Sequence, residues 1–213
     1  MFLQDRRHAG ELLAKSLSSF RGTMPLILAV PRGGVSVALP IWRSLGGDLD
    51  LIITRKIGAP GQPELALGAV TGEGYLLLNE ALAAQLQLPA GYVERVSAGE
   101  QAEIKRRLQL YRGERPQPEI AGRLVILVDD GVATGFTLRA ALMGIKEQMP
   151  QKLILAVPVG PPETLESLGR EVDEIYYLQA PSYFAAVGQF YRDFSQVSDS
   201  MVTAALGEAW SVS

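Results

Sequence analysis

Short unbroken apolar runs alternate along this chain with longer stretches whose apolar residues recur every three or four positions. The runs at 26–30, 51–54, 124–128 and 153–157 are rich in Ile, Leu and Val, and 174–178, EIYYL, adds a last core strand. They predict strands buried on both faces, where neither side meets water. Between them, Leu3, Leu12, Leu13 and Leu17 predict a helix over 3–19, closed by Arg21-Gly22. Val35, Ala38, Leu39 and Trp42 predict a second helix. Pro40 should kink it or cut it to a short turn, because it removes a backbone donor. Helical spacing returns at 80–88, at 92–111 with one heavily charged side, at Leu138, Ala141, Leu142 and Ile145, and at 164–169. The runs 65–70 and 75–79 flank Thr71-Gly72-Glu73-Gly74, which signals a hairpin. Strands alternating with helices predict an α/β fold: a mostly parallel, twisted sheet with helices on both faces.

In such sheets ligands gather at the carboxyl ends of the strands. Three strand ends here carry suitable chemistry. The densest is 124–137, LVILVDDGVATGFT, which reads as strand, acidic pair, small-residue loop and helix start. The loop Gly131, Val132, Ala133, Thr134, Gly135, Phe136 and Thr137 can turn backbone N–H groups towards one point. The following helix adds its positive end, so a phosphate is favoured there. Asp129 and Asp130 would repel a phosphate but suit neutral vicinal hydroxyls or a Mg²⁺ ion. The residues alone therefore reach a ribose phosphate or a nucleotide, and no further.

The second strand end runs into Pro31-Arg32-Gly33-Gly34 and a helix, a second anion-binding pattern with the forked donors of Arg32. The third delivers Arg55 and Lys56 into 57–64, which holds two glycines and two prolines. That composition predicts a long loop. It is read either as a mobile cover for a bound anion or as a surface loop with two solvated cations.

VILVDDGVATGFT resembles the phosphoribosyl-diphosphate (PRPP) binding motif of type I phosphoribosyltransferases: hydrophobic residues, two acids, then Thr-Gly-x-Thr. The whole chain is similar to bacterial phosphoribosyltransferase-like proteins with PRGGV, RKIGAPG and VDDGVATG blocks. The resemblance implies Mg²⁺-dependent transfer of phosphoribosyl from PRPP to a purine- or pyrimidine-like base, with release of pyrophosphate. It implies that Arg32, Gly33 and Gly34 bind pyrophosphate, in a loop that often holds a cis peptide at 31–32 or 32–33. Asp129 and Asp130 would hold the ribose hydroxyls and meet the metal, directly or through water. Residues 131–137 would take the 5′-phosphate. Arg32, Arg55 and Lys56 would stabilise the departing charge. In the aromatic segment 181–194, Phe184 would stack on the base and Asp193 would contact base or metal. A homodimer is the family's usual form. Ala133 departs from the hypoxanthine-type pattern, which has an aspartate there facing the purine. That departure puts a 6-oxopurine acceptor in doubt. A PRPP- or nucleotide-sensing regulator without turnover is the alternative, and hydrolysis of PRPP a third possibility.

Composition narrows this little further. The chain has 213 residues, 47% apolar and 20% charged, an ordinary globular composition with length for one large domain or a core with a small appended lobe. The resemblance implies a single phosphoribosyltransferase-like domain over 1–213. Within it, 71–118 is expected as a small hood or insertion lobe and 180–213 as a base-side segment. A net charge of −3 argues against a nucleic-acid binder that works by neutralising phosphates. No cysteine is present, which excludes disulfides and thiolate metal sites, and the single His8 cannot build a triad or zinc cluster. No apolar run approaches the ~18 residues of a membrane helix, and a cytoplasmic location is expected.

Overall fold

The computed structural model describes residues 2–72 and 74–211. In chain order its elements are α1 (Arg6–Ser16), β1 (Leu26–Ala29), α2 (Gly33–Leu45), β2 (Asp48–Leu51), β3 (Thr54–Ala59) and β4 (Gln62–Thr71). There follow β5 (Leu76–Leu78), α3 (Glu80–Leu86), α4 (Tyr92–Arg112), β6 (Leu124–Val128) and α5 (Phe136–Lys146). Last come β7 (Lys152–Val159), α6 (Pro162–Gly169), β8 (Glu174–Gln179) and α7 (Asp199–Trp210).

The chain divides into two compact units. The first takes residues up to Ile52, Gln117–Thr134 and everything from Gln148 on. It holds a five-stranded sheet in the order β2-β1-β6-β7-β8, every neighbouring pair parallel. Its strand β1 is buried throughout and β6 from its second residue on, as unbroken apolar runs require. Helices flank this sheet, so the α/β expectation holds. The chain reverses its direction of travel across the sheet between β1 and β6, which is where such sheets open a crevice for ligands.

Helix α1 starts where the Asp5 carboxylate accepts the His8 N–H at 2.7 Å, a side-chain cap for an otherwise unpaired donor. It lies closely on α2 at Gly10, where a Cβ would come within 2.3 Å of the Val37 carbonyl. Here the short-turn alternative for Pro40 fails. Pro40 neither ends nor shortens α2, which runs from Gly33 to Leu45 with Pro40 buried inside it. Tight packing against α1 outweighs the one backbone bond that proline forfeits. Sequence reasoning also missed α7, although Ser198 caps it at Met201 and Val202, Ala205, Leu206 and Ala209 form its buried face.

The second unit comprises Ile53–Pro116 and Gly135–Glu147. It holds an antiparallel sheet, β3-β4-β5, with α4 and α5 against it. Two expectations are corrected here. The parallel strand placed at 51–54 is β2, Asp48–Leu51, and the chain leaves it before β3 begins at Thr54. The long loop at 57–64 is instead a hairpin: Ala59 pairs with Gln62 and Arg55 with Val70. Gly61, at positive φ with no atom within 4 Å of an added Cβ, serves the turn of that hairpin, and the close strand approach falls further along, at Gly68. A Cβ on Gly68 would meet the Leu77 carbonyl oxygen at 2.3 Å, so only glycine lets β4 and β5 pair there. The hairpin between β4 and β5 holds, with Glu73 of its turn outside the described residues; so are the side chains of Pro63 and Glu64.

Candidate active site

Strands β1 and β6 pair in parallel with Ala29 opposite Val128, so their carboxyl ends release two loops side by side. The Val30 N–H still bonds the Val128 carbonyl at 2.9 Å. The next peptide, Pro31–Arg32, is cis, as the resemblance led us to expect. Then α2 begins at Gly33. On the β6 side come Asp129 and Asp130, both half-buried.

The two loops touch through atoms that leave no room for side chains. A Cβ on Gly33 would lie 1.8 Å from Oδ2 of Asp130, and one on Gly34 2.8 Å from the Val128 carbonyl oxygen. Glycine at 33 and 34 is thus a requirement of the acidic pair beside it as much as of any anion. Gly131 is similarly confined, since its Cβ would meet Val187 at 2.5 Å.

The acidic pair is held from several directions. The Asp130 N–H bonds Oδ1 of Asp129 at 2.8 Å. Arg6 Nε donates to Oδ2 of Asp130 at 2.6 Å, and Tyr191 donates its hydroxyl to the Asp130 carbonyl, also at 2.6 Å. Oδ2 of Asp129 and Oδ1 of Asp130 accept no hydrogen bond among the described residues. Burial, and then the neighbouring Asp130 charge, push the Asp129 carboxyl well above the ordinary carboxylate range. Burial raises Asp130 too, but the Arg6 guanidinium opposes that rise. The Tyr191 hydroxyl is driven upward by burial and by Asp130, so it serves as a donor throughout the usual pH range.

The remaining expected site residues are placed as follows. Arg32 is half-buried, with its guanidinium 3.6 Å from the Asp199 carboxylate in the first turn of α7. Val132 is buried, Ala133 and Thr134 are exposed, and the Ala133 carbonyl accepts the Thr164 hydroxyl at 3.0 Å. Gly135, Phe136 and Thr137 belong to the second unit, where Gly135 (φ +80°) caps α5 and the Thr137 carbonyl accepts from Thr54 at 3.2 Å. Arg55 and Lys56 also belong there, inside β3 and not in a loop, with Arg55 bonded to Glu100 of α4 at 2.6 Å. Phe184 stacks on Phe190 with ring centroids 5.3 Å apart, against a cluster of Leu3, Ala9, Val159 and Tyr191. Asp193 is a surface carboxylate that accepts the Ser195 N–H and hydroxyl, bonds that hold it below its ordinary value. It lines a cleft of about 280 Å³ with Arg6, Ser36 and Gln196.

A divalent cation is a reasonable fit to the acidic pair. Each aspartate keeps one oxygen without a protein donor, and two adjacent buried carboxylates gain from a cation. Among the described residues no cluster of three metal-ligating side chains exists, so ligand oxygens and water would have to complete the shell, as Mg²⁺ tolerates. Sequence reasoning missed Arg6 and Tyr191. Neither carries a local signal, since Arg6 is 124 positions from Asp130 and Tyr191 61.

A parallel sheet with two loops meeting at its reversal point, one acidic and one glycine-rich, places a ligand crevice of the α/β type there. Residues 3–193 match the phosphoribosyl transferase domain, and the chain belongs to that family. It is 39% identical over 205 residues to a Mycobacterium tuberculosis H37Rv protein named "Putative phosphoribosyl transferase Rv0571c". The match covers 96% of this chain but 46% of that protein, so the chain spans about half the length of this relative. It is also similar to the crystal structure of TT1426 from Thermus thermophilus, with a TM-score of 0.84 and 44% identity. That likeness covers 98% of this chain and 99% of the other.

Proposed function

We propose that the protein transfers phosphoribosyl from PRPP to a nitrogenous base, purine- or pyrimidine-like, with Mg²⁺ and release of pyrophosphate. The observation that carries this reading is the half-buried acidic pair Asp129–Asp130, pressed against Gly33 and Gly34 at the reversal point of the sheet. The two free carboxylate oxygens suit the ribose 2- and 3-hydroxyls. The backbone of 131–137 suits the 5′-phosphate, and Arg32 with Gly33 and Gly34 suits the pyrophosphate.

In the reaction the bond from C1 of the sugar to the pyrophosphate oxygen breaks, and that oxygen keeps the electron pair. A bond from C1 to the acceptor nitrogen forms, and the nitrogen's proton passes to water. Mg²⁺ held by Asp129 and Asp130 would offset phosphate charge when bound. The chain's own part is to fix the sugar and to stabilise the leaving charge through Arg32. Arg55 and Lys56 are proposed as further cations for pyrophosphate on residue type alone, and Phe184 and Asp193 as base contacts on the resemblance alone. A cytoplasmic homodimer completes the reading. Sedimentation velocity tests the dimer.

A sensor without turnover is the second reading, favoured by Ala133, which puts no titratable group where a purine-facing acid would stand. Calorimetry of PRPP with and without Mg²⁺, followed by pyrophosphate release on adding candidate bases, separates the two. Binding with base-dependent release supports the transferase. Binding without release for any base supports the sensor, and absence of binding overturns both.

A further inference from the structure

Arg6 lies outside every sequence block that carries the resemblance, yet among the described residues it makes the closest contact of any cation to the acidic pair. Its side chain is engaged on three sides: Nε on Oδ2 of Asp130 at 2.6 Å, one terminal nitrogen on the Ser195 carbonyl at 2.8 Å, and the guanidinium face 3.7 Å from the Phe194 ring centre. Phe194 in turn lies against Tyr191, ring centres 5.0 Å apart, and Tyr191 holds the Asp130 carbonyl. The backbone closes the same circuit. Leu3 N–H bonds the Phe190 carbonyl, Arg192 N–H the Leu3 carbonyl, and Asp193 N–H the Gln4 carbonyl. Gly33 abuts the pair from the other loop, where a Cβ would lie 2.9 Å from Arg6 Nε.

An arginine so anchored has one arrangement available, and so has the carboxylate it holds. An unpaired Asp130 beside Asp129 would rotate to separate the two charges. Paired with Arg6, its Oδ2 is fixed and only Oδ1 is offered to a ligand. We propose that Arg6 is a positioning residue of the sugar site: it sets the Asp130 carboxylate to accept the ribose 2-hydroxyl, and so makes the site select ribose over 2-deoxyribose. This rests on the sugar-phosphate reading above.

The test uses ribose 5-phosphate and 2-deoxyribose 5-phosphate, titrated separately into the full chain by calorimetry. The wild-type protein should prefer ribose 5-phosphate by on the order of tenfold, the worth of one hydrogen bond to a charged group. Arg6→Met keeps an unbranched side chain against Phe194 and should bring that ratio close to one. Affinity for 2-deoxyribose 5-phosphate should stay within about twofold, because its phosphate contacts do not involve Arg6. Arg6→Lys keeps the charge but cannot hold Asp130 and Ser195 with one planar fork, so its ratio should fall between the two. If the Met variant does not fold by circular dichroism, the Lys variant decides: a lowered ratio supports the role and an unchanged one overturns it. A wild-type ratio in folded Arg6→Met, or equal weakening of both ligands, overturns the role of Arg6 alone. Wild-type protein that binds neither ligand overturns the sugar-phosphate reading, and the role of Arg6 with it.

Discussion

The arginine–carboxylate pairs Arg6–Asp130 and Arg55–Glu100 share a contact distance of 2.6 Å and differ in almost everything else. Asp130 is held at its backbone as well as its side chain, and its partner is anchored by a carbonyl and a ring. The side chains of the first pair are 11% and 17% exposed; those of the second are 35% and 25%. The first arginine sits on a motif acid, so its loss leaves a buried charge unanswered. The second joins a strand to a helix within its own unit and shares its charge with solvent. Contact distance alone therefore does not rank the two; what the removal of each partner would strand does.

The sharpest break between the two regions comes from adding one methyl group. Gly33→Ala drives a Cβ into Asp130 and Arg6, and should destabilise the protein by about 1–3 kcal/mol in urea titration. Gly99→Ala, in the interior of α4 with no atom within 4 Å of its added Cβ, should instead stabilise by about 0.5–1 kcal/mol. If both changes have the same sign, the crowding at Gly33 is wrong.

Removing charge rather than adding bulk sharpens the contrast. Asp129 is held above the ordinary carboxylate value of 3.8 by burial and by Asp130. The folded state thus binds a proton that the unfolded chain has released. Stability is complete below about pH 3.8 and is lost as pH rises through the folded value. Asp129→Asn removes that loss. It should abolish sugar-phosphate binding while raising the unliganded melting midpoint at neutral pH by about 2–4 °C, what 1 kcal/mol is worth in a chain of this size. The two melting curves should converge in acid, and a lower midpoint at neutral pH would refute the repulsion.

Two smaller effects belong to the second unit. Glu100→Gln should cost less than about 1 kcal/mol in thermal melts, since the pair it breaks is partly solvated. Also on α4, Arg106 and Arg107 hold the Glu103 carboxyl down to about 2 by hydrogen bonds. A carboxyl carbon NMR titration should show no Glu103 midpoint near 4.5.

The sequence was legible where burial is two-sided. The strands β1, β6 and β7 lie within a residue or two of their apolar runs, because both faces of such strands must be apolar. It misled where one residue type has two uses. The glycines and prolines of 57–64 signal a loop, yet only Pro60 and Gly61 form a turn and the rest of the stretch lies in β3 and β4. The acids of β2 hid a strand: Asp50 is buried, its side chain taking the N–H of Leu51 at 2.6 Å. In the site, the acidic pair and both glycine loops could be read locally. Arg6 and Tyr191 could not, for they reach the pair only through tertiary structure.

That distance has a consequence for synthesis. Arg6 and Ser195, bonded to each other, are separated by 189 positions, so α1 leaves the ribosome long before its partner exists. The second unit is itself interrupted, since α5 follows β6 in the chain. Closing so long a loop costs entropy that only the finished contacts return, and slows the step that depends on it. A nascent chain stopped just before residue 190 would carry the acidic pair without Tyr191 on the Asp130 carbonyl and without Ser195 to anchor Arg6.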